Sequence, residues 1–211
     1  MEALGWVFIA LVALVLAVGI VLGVISLPDA RRYLKLRRDV VEPGDHMTAR
    51  ILVAGIGNIF LGDDGFGSEV VRNAEIPQDG SRVRVIDYGV RGMHLAYDLL
   101  EEWDTLVLVD AVPSRGNPGT LHVFQADCES DPQATGLDGH SMDPAAVFAS
   151  LRALGGSPPY TVVVGCEAGS VEEGIGLTEP VARAVPRAAR AVEEIVAALQ
   201  IPAATAAAED N

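Results

Sequence analysis

Ile51-Leu-Val-Ala-Gly-Ile-Gly-Asn-Ile-Phe-Leu-Gly-Asp-Asp-Gly-Phe-Gly67 decides the fold. The apolar opening, Ile51 to Ala54, is strand-like, and glycines then turn the chain. Asp63 and Asp64 close the turn, and Ser68-Glu-Val-Val-Arg-Asn-Ala74 has the composition of a helix. Strand, glycine turn and helix in that order open an α/β sheet, whose chemistry gathers at the carboxyl ends of its strands. A dinucleotide fingerprint is the first reading to test. Gly55 and Gly57 supply its first two glycines, but the third falls on Phe60. A phosphate cradle also needs free N–H groups with no competing anion, and here two aspartates stand at the helix start. The loop reads instead as a cation holder or a helix cap.

Downstream, strand and helix patterns alternate. Arg82 to Asp87 is β-branched and alternating, and a helix is expected over Met93 to Trp103, with Leu95, Leu99 and Leu100 at helical spacing. Thr105 to Asp110 is a continuous apolar run, as in a strand covered on both faces. Thr120 to Phe124 alternates like a strand at a sheet edge or with one face exposed. A long loop, Asp127 to Asp143, precedes a helix over Pro144 to Leu154. Tyr160 to Gly165 is the last strand, and a second glycine-rich acidic loop, Glu167 to Gly176, leads to a helix over Thr178 to Leu199 with a break expected near Pro186. Four or five strands alternating with helices predict a three-layer α/β/α sandwich around a mostly parallel sheet. This domain occupies residues 47–201, and 202–211 form an alanine-rich tail.

The first 46 residues are of another kind. Leu4 to Leu27 carries no charged side chain and exceeds the roughly 20 apolar residues that cross a bilayer. A single transmembrane helix is expected, tethering the protein to the membrane through residues 4–27. A signal peptide would open with basic residues, whereas Glu2 stands here. Arg31, Arg32, Lys35, Arg37 and Arg38 follow the span and place its far end in the cytoplasm. Val41 to His46 reads as linker. Met47 begins a natural opening for a soluble α/β protein, so 1–46 is an anchor with a basic linker or an upstream extension of the reading frame. The domain is expected in the cytoplasm in both cases.

Residues 1–46 hold five acidic and five basic side chains, so the net charge of −14 falls on 47–211, which has ten arginines and no lysine. Such acidity disfavours nucleic acid and anionic lipid. Cys128 and Cys166 form no paired motif; Cys166 ends an apolar run and reads as a buried small hydrophobe.

Three residues are candidates for convergence at one sheet edge: Asp64 after the first strand, Asp110 at the end of the apolar strand, and His140 in the long loop. Two carboxylates and an imidazole suit a divalent transition ion, nickel, zinc or iron, better than calcium, and leave coordination positions open for a substrate group. Each has a plainer reading. Asp63 or Asp64 caps the next helix, Asp110 hydrogen-bonds a neighbouring loop, and His140 is merely exposed. Asp87 orients the first loop or assists the ion; His94 and His122 are structural, and His46 is linker. Spacing alone does not show that these groups meet.

The motifs together resemble a known family. Gly55-Ile-Gly57-Asn58 with Leu61-Gly-Asp-Asp-Gly-Phe-Gly67, Asp87-x-Gly89 with Gly92-Met93, Val109-Asp110-Ala111, Pro118-Gly119, a loop histidine and Gly174-Ile-Gly176-Leu177 are similar, in order and spacing, to the hydrogenase maturation proteases. The likeness runs from about Ile51 to Leu199, and residues 1–46 lie outside it. It implies an endopeptidase that removes a C-terminal extension from the large-subunit precursor of a nickel–iron hydrogenase after nickel insertion. The precursor's metal would be the recognition element and no cofactor would be permanently bound, although zinc or a similar ion would fit the same donors. The family's metal-contacting set of acid, aspartate and histidine maps onto Asp64, Asp110 and His140. Some members carry glutamate where Asp64 stands. A membrane-tethered metal- or partner-binding module without catalysis is the alternative.

Overall fold

The computed structural model describes residues 49–78, 82–126 and 144–200. The expected span at 4–27, Cys128, His140 and the tail lie outside the described residues, among which no helix is long and apolar enough to cross a membrane.

Five strands, β1 (Ile51–Ile56), β2 (Val83–Gly89), β3 (Thr105–Val112), β4 (Leu121–Gln125) and β5 (Tyr160–Glu167), form one sheet in the order β2-β1-β3-β5-β4. Four are parallel, and β4 runs antiparallel to β5 at the edge, as its half-exposed alternation foretold. The helices are α1 (Phe66–Asn73), α2 (Gly92–Asp98), α3 (Pro144–Ala153) and α4 (Glu179–Gln200), and a 3₁₀ turn, Gly62–Gly65, joins β1 to α1. α1 packs with α4 and α2 with α3.

Successive side chains of a strand point to opposite faces, so an apolar strand fills two cores at once. All six residues of β1 are buried. Leu52, Ala54 and Ile56 join Leu106 and Leu108 of β3 against Leu95 and Ala96 of α2 and Phe148 and Leu151 of α3. The alternate residues belong to the opposite face, where α1 lies along β1 and β3 and α4 lies along β5. Each fully buried Val, Leu or Ile contributes roughly 1.5–3 kcal/mol, which makes β1 and β3 the anchor of both layers.

The strand order matters most for function. The chain leaves β1 in one direction to reach β2, then crosses back past β1 to β3. Right-handed crossovers then put α1 and α2 on opposite faces, and a crevice opens between the carboxyl ends of β1 and β3.

Two expectations are corrected. The helix expected over Met93–Trp103 ends at Asp98, after which Leu100 and Glu101 turn back onto Tyr97 and Asp98. Trp103 packs in the core with its indole N–H donated to the carbonyl of Asp98 at 2.9 Å, under the guanidinium groups of Arg50 and Arg84. The break expected at Pro186 is absent, because α4 runs unbroken through it. Pro186 and Ala182, the carbonyl four residues back that loses its donor, are both exposed, so water satisfies what the ring cannot. Buried Val181, Ala184, Val185, Ala188, Val192 and Ile195 hold the helix down.

Candidate active site

The glycine loop after β1 is a closed hydrogen-bond circuit. Gly57 donates to the carbonyl of Gly89, Leu61 to Asn58, and Asp64 to Leu61. Phe60 donates to the side-chain oxygen of Asn58, whose own N–H is held by the Asp64 carboxylate. Gly62 and Asp63 donate to Gly174 and Ser170 of the second glycine loop. These donors are spent inside the protein, so the loop offers no phosphate cradle.

Two glycines make the circuit possible. Gly57 has φ +123°, and a Cβ there would lie 1.8 Å from the carbonyl oxygen of Asp64. At Gly67 a Cβ would lie 2.3 Å from the carbonyl oxygens of both Ile56 and Val109, because the start of α1 rests directly on β1 and β3. The turn with its aspartates is thereby pressed onto the carboxyl end of the sheet.

The two adjacent aspartates have different work, and neither caps a helix. Asp63 is fully buried and accepts from the N–H groups of Gly169 (2.7 Å), Ser170 (2.9 Å) and Thr178 (2.6 Å) and from the Thr178 hydroxyl (2.8 Å). It is a brace that ties the second glycine loop to the first. Asp63→Asn puts amide hydrogens among those donors; unfolding in denaturant is expected to show a loss of about 1.5–3 kcal/mol, the usual weight of a charge-assisted hydrogen bond.

Asp64 is buried in the turn, and Asp110 is buried near the end of β3. Sheet order brings them together, since β1 pairs with β3 through Gly55 and Val109 and the turn packs on β3. Burial raises the Asp110 carboxyl well above the ordinary carboxylate range, and the negative charge of Asp64 raises it further. A hydrogen bond from the Ala111 N–H opposes both. Burial and the nearby Asp64 charge thus favour the protonated form of Asp110, and a divalent cation beside the two carboxyls would offset that cost.

Asp87 faces elsewhere. It accepts from the Ser68 hydroxyl at 2.6 Å, Arg72 at 2.8 Å and the Gly89 N–H at 3.1 Å, and so fixes α1 and the Gly89 turn that holds Gly57. His94 is exposed on α2. Cys166 is fully buried, its thiol pushed up to about 12 by desolvation, which removes it as a nucleophile. No group of three metal-ligating side chains occurs among the described residues, and His140 lies outside them.

Sequence reasoning missed Glu167. It ends β5, is 3 % exposed, and accepts from the N–H groups of Arg115 (2.9 Å) and Asn117 (3.1 Å) while pairing with His122 at 2.9 Å. Those N–H groups and His122 hold its carboxyl below the usual range. The available signal was that β2, β3 and β5 each carry an acid at the same end of the sheet. His122 is structural, as expected, and this is its partner.

Comparison with known proteins gives this arrangement its context. The family model described as hydrogenase maturation protease matches residues 68–195. The hydrogenase 2 maturation protease of Escherichia coli is 33% identical over 156 residues, covering 72% of this chain and 91% of that one. This chain belongs to the hydrogenase maturation protease family. It is accordingly an endopeptidase. HupD of Bradyrhizobium diazoefficiens, a hydrogenase expression/formation protein, is 34% identical over 147 residues, covering 66% and 73% of the two chains. The solved structure of the hydrogenase maturating endopeptidase HybD from E. coli superposes with a TM-score of 0.57 at 34% identity, covering 72% of this chain and 92% of that one. The maturation protease HycI from Thermococcus kodakarensis superposes at 0.53 with 26% identity, covering 71% and 93%. A model of a family of unknown function matches residues 8–38, so the N-terminal stretch is similar to something other than the proteases.

Proposed function

We propose that this protease removes the C-terminal extension from the large-subunit precursor of a nickel–iron hydrogenase once nickel is in place, and that the inserted ion is what it recognises. The observation that carries the reading is the buried Asp64–Asp110 pair at the crevice between β1 and β3, in a chain of the maturation protease family. The pair favours a divalent cation on charge alone. It supplies only part of a coordination shell, with His140 from the loop before α3 as the third donor in this reading, so the precursor brings both the ion and its remaining ligands.

The chemistry then divides between the partners. Asp64 and Asp110 bind the ion and fix it against the sheet edge, and its charge draws the proton from Asp110. The ion polarises the scissile carbonyl or lowers the pKa of its bound water. No resident cofactor is required, and zinc or another divalent ion fits the same donors. Purified protein mixed with nickel-loaded precursor is expected to release the extension, while metal-free precursor stays intact under the same conditions. Mass spectrometry of the large subunit reads both, and cleavage of metal-free precursor would contradict the recognition step.

A further inference from the structure

Two large apolar side chains beside the turn bury little of themselves in the fold: Phe60 is 61 % exposed and Ile175 is 82 % exposed. Both stand on fixed backbone. Leu61 and Gly174 form a parallel β-bridge, with the Gly62 N–H donated to Gly174 at 3.0 Å and the Gly174 N–H donated to Phe60 at 2.9 Å. Phe60 precedes one side of that bridge and Ile175 follows the other. Asp63 clamps the same two loops through Gly169, Ser170 and Thr178. A large side chain left in water forgoes the roughly 1.5–3 kcal/mol that burial would contribute. Apolar groups held rigidly beside a reaction centre are suited to become binding anchors, because little ordering entropy is lost when a partner covers them.

We infer that Phe60 and Ile175 form an apolar docking pair that seats an apolar stretch of the precursor beside its scissile bond. The inference rests on the function proposed above and adds a specificity element to it. Continuity with the site favours the precursor as occupant, since Phe60 lies four residues before Asp64 on the same hydrogen-bonded loop. Charge argues against a second copy, because two chains at −14 repel each other.

Steady-state cleavage of nickel-loaded precursor by the full chain tests this. Phe60→Ser combined with Ile175→Ser is expected to raise KM by about tenfold or more with kcat near wild type, as loss of one or two binding anchors does. Phe60→Leu should recover most of the loss. Tyr97→Ser removes an equally exposed aromatic from α2 and should leave KM unchanged. If the wild-type protein cleaves while the double variant keeps its KM, the docking pair is wrong and the proposed function stands. If the wild-type protein leaves loaded precursor intact, both fall. A KM increase of the same size from Tyr97→Ser, or a wild-type dimer that dissociates in the double variant, would overturn the inference. So would a drop in melting temperature with unchanged KM, which would assign the pair to packing within the chain.

Discussion

Asp110→Asn is expected to abolish precursor cleavage while making the metal-free protein more stable at neutral pH. The side chain keeps its size and an acceptor for the Ala111 N–H, so the fold has no reason to change. What disappears is a buried carboxyl whose ionisation is opposed by desolvation and by Asp64. A carboxyl raised in the folded state holds its proton more tightly there than in the unfolded chain. Its contribution to stability is therefore fully present below the ordinary carboxylate pKa, about 3.9, and is lost as pH rises through the raised value. The variant and the wild-type protein should melt alike in acid, with the variant ahead by pH 7–8. On the proposed function turnover should fall by roughly 10²-fold, as loss of a side chain that holds the ion does. Paired melting curves across pH, with cleavage assays beside them, separate the two effects. Equal pH dependence in the two proteins would mean that Asp110 ionises in the folded protein like an ordinary carboxylate.

Gly67→Ala is expected to destabilise the fold severely. The new carbon would lie 2.3 Å from two carbonyl oxygens, Ile56 on β1 and Val109 on β3, and 2.7 Å from the Ile56 nitrogen. These are backbone atoms of strands at the centre of the sheet, so no side chain can swing aside. Either α1 lifts from the sheet, carrying Asp64 with it, or the strands separate. Overpacking of a core commonly costs 1–3 kcal/mol, and a backbone collision at this site should reach at least about 3 kcal/mol, a large part of the 5–15 kcal/mol that holds a domain together. Denaturant unfolding measures the loss. Gly116→Ala is the control, since no atom lies within 4 Å of a Cβ built there. It should cost far less, its strain arising only from a φ of +100°.

Much of this architecture is visible in the one-dimensional pattern, because buried parallel strands must be apolar on both sides. Ile51–Ala54, Thr105–Asp110 and Tyr160–Gly165 announce themselves for that reason, and the weaker alternation of Leu121–Gln125 marks the edge strand. What is not visible is which acids meet. Asp64 and Asp110 are 46 positions apart, and only the sheet order, with β1 between β2 and β3, makes them neighbours. Asp63 and Asp64 are chemically identical in the sequence, and the 3₁₀ turn decides that one braces the loops while the other holds the Asn58 N–H and carries the charge that raises Asp110. The early end of α2 depends on Trp103 folding back to Asp98, and the survival of α4 depends on Pro186 facing water; both are tertiary facts that propensity does not carry. Glu167 went unrecognised because its partners are backbone N–H groups about fifty residues away.

The brace formed by Asp63 also sets an order on biosynthesis. A chain emerging from the ribosome has presented Asp64 and Asp110 by position 110, but the donors that brace the turn carrying Asp64 lie at 169, 170 and 178. Until that later segment is translated the turn lacks this brace and is held only by its contacts with β1, β3 and the Gly89 turn. The full brace on that turn is therefore complete only after residue 178 has been made.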